Sequence, residues 1–162
     1  MSTILIFGNS GSGKTTLAKS LCQSHGLAHL DLDTLAWEAT TPSVRKSLSA
    51  SKKDIDHFIK TNDSWVIEGC YTDLLELAEP HSSEIIFMNL PIEMCIANAK
   101  SRPWEPHKYK SKQAQDNNLE MLIDWISLYT TRDDTFSMVA HQNFYHNYNG
   151  KKKIISNNQK CV

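Results

Sequence analysis

The stretch TILIFGNSGSGKTT, Thr3 to Thr16, decides the fold. Thr3 to Phe7 is short, apolar and rich in β-branched residues, without polar alternation. That is the pattern of a strand buried on both faces, as in a parallel sheet covered by helices. Gly8 to Thr15 then fits the phosphate-loop pattern G-x-x-x-x-G-K-S/T at every fixed position. From Lys14 to Ser24 the chain reads as a helix, with Leu17, Ala18 and Leu21 on one face and Gly26 as its stop. Strand, glycine loop and helix in that order form a phosphate cradle. The glycines let successive N–H groups point inward, and the helix N-terminus adds its positive end. Gly8, Asn9, Ser10, Gly11, Ser12 and Gly13 supply the cradle, with Lys14, Thr15 and Thr16 at its helical end. Lys14 is placed to reach the β- and γ-phosphates, and Thr15 to ligate Mg²⁺.

Working outward, Leu27 to Leu32 reads as a second strand, closing on Asp31-Leu32-Asp33. Pro42 and Ser43 are expected to open a helix carrying Val44, Leu48, Ile55, Phe58 and Ile59, up to about Lys60. Trp65-Val66-Ile67 is a third strand, cut off by Glu68-Gly69. Leu74 to Ala78 is a short helix stopped by Pro80. Ile85 to Met88 is a fourth strand, and Pro91 suits the first turn of a helix running to about Ser101. Arg102 to Asn117 contains RPWEPHKYKSK, with two prolines and no apolar period, and reads as a mobile loop or lid. Leu119, Leu122, Ile123, Ile126 and Tyr129 form a helical stripe. Asn143 to Tyr148 is expected to be the fifth strand, and Lys153 to Ile155 a short final one. Strands alternating with helices predict a three-layer α/β domain around a mostly parallel sheet.

At 162 residues the chain is expected to be one domain spanning 1–162. A net charge of -1 provides no global basic field for a nucleic acid or an anionic membrane. No run approaches the ~20 apolar residues that span a bilayer, and Met1 to Ile4 opens no signal peptide. The four cysteines form no C-x-x-C pair, which implies reduced thiols in a cytoplasmic protein. The scattered histidines form no H-x-x-x-H metal pair.

Three acids fall where strands end, and in open α/β sheets ligands bind at the carboxyl ends of strands. Asp31 and Asp33, two apart in an extended chain, would face one cleft. One would hold water on Mg²⁺ while the other binds or deprotonates an acceptor hydroxyl. Glu68 follows an apolar strand, the place of a Mg²⁺–water ligand in many phosphate-loop proteins. Gly69 beside it allows close approach of a ligand to the backbone. Phosphoryl transfer also needs cations over the moving group. Among Arg102, Lys108, Lys110, Lys112 and Arg132, the bidentate geometry of arginine favours Arg102 and Arg132.

The stretches GNSGSGKTTLAKSL, HLDLDTLAW, WVIEGCY and EIIFMNLPIEMCIANAKSR resemble the adenylate-kinase-related branch of P-loop small-molecule kinases. The likeness is greatest to the topology modulation protein-like group, and extends to shikimate and gluconate kinases. It covers Met1 to about Arg102. The resemblance implies the P-loop NTPase fold, a five-stranded parallel sheet of order 2-3-1-4-5 with flanking helices. It also implies an acceptor-binding segment at about 34–62 and a lid at about 102–117. By position, Asp33 resembles the acid that binds the acceptor hydroxyl, Asp31 its partner near Mg²⁺, and Arg45 an arginine gripping an anionic acceptor. Glu68-Gly69 resembles the Asp-Gly that ends the third strand of nucleotide kinases, and Arg102 the first lid arginine. The chain departs from shikimate kinases in reading Glu68-Gly69-Cys70-Tyr71 where they carry a glycine triplet.

The function expected is therefore Mg-ATP-dependent transfer of the γ-phosphoryl group to a small hydroxyl- or phosphate-bearing acceptor. ATP and Mg²⁺ are the cofactors, with no membrane or nucleic-acid partner. The alternative is an ATP-driven switch or slow NTPase acting through a protein or nucleic acid. The acceptor segment speaks for the kinase.

Overall fold

The computed structural model describes residues 1–38 and 44–158. Pro42 and Ser43, expected to open a helix, lie outside these residues. Five parallel strands form one sheet in the order β2-β3-β1-β4-β5. They are β1 (Thr3–Gly8), β2 (Ala28–Asp31), β3 (Trp65–Gly69), β4 (Glu84–Met88) and β5 (Lys151–Ile155). The helices are α1 (Lys14–His25), α2 (Leu48–Thr61), α3 (Thr72–Ala78), α4 (Ile92–Ser101), α5 (Lys112–Ser127) and α6 (Met138–Asn147). The expected sheet and strand order are both present.

Strand periodicity divides the core in two, because successive side chains leave opposite faces. Leu5, Phe7, Ile67, Ile85 and Phe87 face α2, α3 and α6, where Ile55, Leu74, Leu75 and Phe144 meet them. Ile4, Ile6, Val66, Ile86 and Met88 face α1, α4 and α5, where Ala18, Cys95, Ala99 and Ile126 pack. Both faces of β1 are therefore covered, which is why its sequence shows no polar alternation.

Besides Val44, which lies exposed ahead of a helix that starts only at Leu48 behind its Ser47 cap, three local expectations change. Asn143 to Tyr148 belongs to α6 and its C-terminal cap, and the fifth strand is Lys151–Ile155. The aromatic run FYHNY suggests a strand, but Ser137 starts a helix by accepting from the Ala140 N–H. His141, Phe144 and Tyr148 are then buried at spacings of three and four. Phe144 stacks edge-on against Phe7, with ring centroids 5.1 Å apart. Second, β2 ends at Asp31, and Leu32–Thr34 forms a 3-10 turn. Asp31 caps that turn: its Oδ1 accepts from the Asp33 N–H at 3.0 Å. A capped turn, rather than the pleat of an extended strand, thus sets Asp33 relative to Asp31. Third, α5 starts at Lys112, capped by Ser111, so the irregular segment after α4 is residues 102–111.

Candidate active site

The site follows from the strand order. The loop after β1 lies next to the end of β3, which lies next to the end of β2, with Asp31 opposite Glu68 in register. In the loop, Gly11 has φ 78°, and a Cβ there would stand 2.3 Å from the Cys95 carbonyl oxygen of α4. Only glycine allows that curl against that helix. The loop is braced from outside. Asn98 Nδ2 donates to the Gly11 carbonyl at 2.8 Å and to Asn158 Oδ1 at 2.7 Å. Asn158 Nδ2 donates to the Ser12 carbonyl at 3.2 Å. Buried Asn9 donates from Nδ2 to the Ile126 carbonyl of α5 at 3.2 Å. These amides hold the Gly11 and Ser12 carbonyls, while the Ser12 N–H closes the loop on the Asn9 carbonyl at 3.2 Å.

Lys14 opens α1, and its Nζ donates to the Asn9 carbonyl at 2.7 Å, keeping the ammonium over the loop. Thr15 Oγ1 donates to Glu68 Oε2 at 2.7 Å, and His29 Nε2 lies 2.9 Å from the same oxygen. Glu68 is only 2% exposed. Asp31 is also buried, and its Oδ2 makes no hydrogen bond among the described residues. Burial raises the Asp31 carboxyl above its ordinary pKa, and the charges of Glu68 and Asp33 add to the rise.

Asp33 differs. Its Oδ1 accepts from the Tyr71 hydroxyl, which in turn accepts from Trp37 Nε1 at 3.0 Å. Its Oδ2 pairs with Lys108 Nζ at 3.0 Å. Burial pushes the Asp33 carboxyl up, but Lys108 and the Tyr71 hydroxyl outweigh it, and Asp33 falls below the usual value. Lys108 also lies 3.4 Å from Asp31 Oδ2 and 3.6 Å from Glu105 Oε2. Burial would lower this ammonium's pKa, yet Asp33 and Asp31 together raise it. The proton affinities of these two neighbouring acids are thus driven in opposite directions.

The structure therefore brings together Lys14, Thr15, Asp31, Asp33 and Glu68. Gly69 ends β3 beside them, packed on Leu32. Arg45 stands behind Tyr71. Its guanidinium lies 5.0 Å from that ring centroid and 5.6 Å from Phe136, and pairs with Asp73 at 3.2 Å. The two favoured arginines are engaged elsewhere: Arg102 with Glu105 at 3.2 Å, Arg132 on the Trp125 ring at 3.5 Å and with Asp134 at 3.8 Å. The lid cation that meets the acids is Lys108, which has no distinctive spacing in the sequence. Tyr71 and Trp37, the last residues of the stretches WVIEGCY and HLDLDTLAW, join Asp33 as well, Tyr71 directly and Trp37 through the Tyr71 hydroxyl, though the sequence reading gives neither a role.

Mg²⁺ fits the residues present. A threonine hydroxyl hydrogen-bonded to a buried carboxylate, with Asp31 Oδ2 nearby, ion-paired to Lys108 but without a hydrogen bond, is an oxygen-only set suited to a hard cation. Among the described residues no three His, Cys, Asp or Glu side chains form a metal cage. Such an ion would therefore be shared with phosphate oxygens and water.

Parallel sheet, strand order and phosphate loop define the class: a nucleotide-binding fold of the P-loop kind found in small-molecule kinases. A family profile described as AAA domain (AAA_33) matches residues 4–86, just over half of the chain, and the chain belongs to that family. Among solved structures it is similar to a sugar kinase from Janibacter sp. HTCC2649, at 13% identity and TM-score 0.53, covering 99% of this chain and 87% of that one. It is also similar to shikimate kinase from Bacteroides thetaiotaomicron, at 15% identity and TM-score 0.51, covering 96% and 85%. At these identities the likeness is one of fold. No curated protein matches the chain significantly.

Proposed function

We propose that the protein is a Mg-ATP-dependent phosphotransferase acting on a small hydroxyl- or phosphate-bearing acceptor. The observation that carries this is the convergence of two acids, Asp31 and Asp33, on the side of Lys14 and Thr15, each in a different electrostatic setting. A protein that only binds and hydrolyses nucleotide has no need of the second acid, tied into its own tyrosine and tryptophan. In this reading the loop amides and Lys14 bind the β- and γ-phosphates. Mg²⁺, when bound, neutralises developing phosphate charge. Thr15 would ligate it, and Asp31 and Glu68 would hold its waters. Asp33 orients the acceptor hydroxyl and accepts its proton. Gly69, packed on Leu32, is the end of β3 beside which the acceptor would lie, and Arg45 meets its anionic end. Arg102 and Arg132 would stabilise the transferring group once released from Glu105 and from Trp125 and Asp134. Fold alone cannot choose an acceptor.

The test is ADP release from purified protein with Mg-ATP across nucleosides, nucleoside monophosphates, sugar acids, shikimate and a short oligonucleotide, with Lys14→Met as blank. One acceptor should raise the rate at least about tenfold over water, and Lys14→Met should lower it about 100-fold, as loss of a preorganised charge contact does. A flat panel over a Lys14-dependent background would sink the kinase reading in favour of an NTPase.

A further inference from the structure

We propose that Lys108 decides between the acceptor and water, by occupying the face of Asp33 that any attacking hydroxyl must reach. The inference rests on the phosphotransferase reading. Each carboxylate oxygen of Asp33 carries a partner, Oδ1 the Tyr71 hydroxyl and Oδ2 Lys108 Nζ at 3.0 Å, while the side chain stays 39% exposed. The same ammonium spans to Asp31 at 3.4 Å and to Glu105 at 3.6 Å, so three carboxylates hold it. It is mostly buried, at 20% side-chain exposure.

The backbone that carries it is folded rather than loose. The Lys108 and Tyr109 N–H groups both donate to the Glu105 carbonyl at 3.0 Å. Glu105 N–H donates to Gln115 Oε1 at 2.8 Å, Gln115 Nε2 to the Pro103 carbonyl at 3.1 Å, and Asn118 Nδ2 to Tyr109 Oη at 2.9 Å. The turn is thus pinned to α5, and the ammonium is presented to Asp33 from a fixed base.

Two reactions compete for one base. In hydrolysis, water oxygen bonds to the γ-phosphorus, and the bond to the β,γ-bridging oxygen breaks with its electron pair left on ADP. The water proton passes to Asp33. In transfer, the acceptor hydroxyl oxygen takes the place of water and its proton goes to Asp33. Prising Lys108 away costs the same in both. An acceptor supplies that cost through contacts of its remaining atoms, whereas water has no other atoms to bind with. Lys108 thereby makes the base available only when an acceptor is seated.

The experiment is acceptor-free ADP release with Mg-ATP for the wild type, Lys108→Met, Lys108→Arg, and Lys108→Met combined with Asp33→Asn. Circular dichroism and thermal midpoint verify folding, and Lys108→Gln is read in the same way if the Met variant folds poorly. Lys108→Met should raise hydrolysis at least about tenfold, a part of the roughly 10²–10⁴-fold that a positioned general base contributes once its oxygen is open to water. Lys108→Arg should stay near the wild type, and the double variant should fall back to the wild-type rate or below. A Lys108→Met rate at or under the wild type overturns the proposal, and so does a rise that survives Asp33→Asn. A rise in hydrolysis beside a flat acceptor panel sinks the kinase reading and overturns the choice between acceptor and water, leaving Lys108 a brake on hydrolysis alone; an active acceptor without the rise keeps the kinase reading and overturns the proposal.

Discussion

Gly11 and His141 show how single residues set the site's tolerance. A Cβ at Gly11 meets the Cys95 backbone at 2.3 Å, in a left-handed conformation, and backbone of that kind costs about 1–3 kcal/mol for other residues. Gly11→Ala should lower the thermal midpoint by about 5 °C for a chain of this size and weaken ATP binding with it, read by calorimetry in each case. His141 is fully buried between the Tyr129 hydroxyl, 2.7 Å from Nδ1, and the Cys70 carbonyl, 2.9 Å from Nε2. A carbonyl only accepts, so Nε2 carries the hydrogen and Nδ1 accepts from tyrosine. Burial drives its pKa down to about 4 from 6.5. The unfolded chain then takes up the proton first as pH falls. Stability is full above about pH 6.5, is lost down to about pH 4, and levels off below, for at most about 3 kcal/mol. Urea midpoints between pH 4 and 7 should fall on acidification in the wild type and fall less in His141→Gln. An equal slope in both would remove His141 as the cause.

At the scale of elements, the strands next to the loop were legible because burial on both faces leaves an unmistakable apolar run. The segment 138–147 was not. Its aromatic residues satisfy strand preference, and its helical signal rests on one cap and three buried residues spaced three and four apart. Ser137 accepts from the Ala140 N–H at 3.0 Å and donates to the Asp134 carbonyl at 2.7 Å. Ser137→Ala should cost about 1 kcal/mol, as N-caps do, measured by urea unfolding; no change would mean that the aromatic packing alone specifies α6. The lid was legible as irregular chain, but not in its working residue. A lysine one turn from Glu105 looks like any solvated cation until the fold sets it against Asp31 and Asp33, 77 and 75 residues earlier. Sequence spacing reports local chemistry, and the pairing of Lys108 with Asp31 and Asp33 is long-range.

For the whole molecule, β5 is an edge, and edge strands invite pairing with a second chain. Its sequence begins with three lysines: Lys151 pairs with Glu84 at 3.7 Å, Lys152 bonds the Tyr145 carbonyl at 3.0 Å, and Lys153 is exposed. Ile154 follows at 46% exposure. Replacing Lys151 and Lys153 by valine should give concentration-dependent higher-mass species in light scattering at neutral pH, while a scattering mass equal to that of the wild type would deny the lysines this guarding role. Among the described residues no helix is long and apolar enough to cross a membrane.

The loop and the tail of that edge strand are joined through Asn158 and Asn98. The margin of the sheet thus forms part of the outer wall of the phosphate loop. Fraying at β5 would slacken that wall, so the sheet's edge and its nucleotide cradle are mechanically tied although two strands stand between β5 and β3.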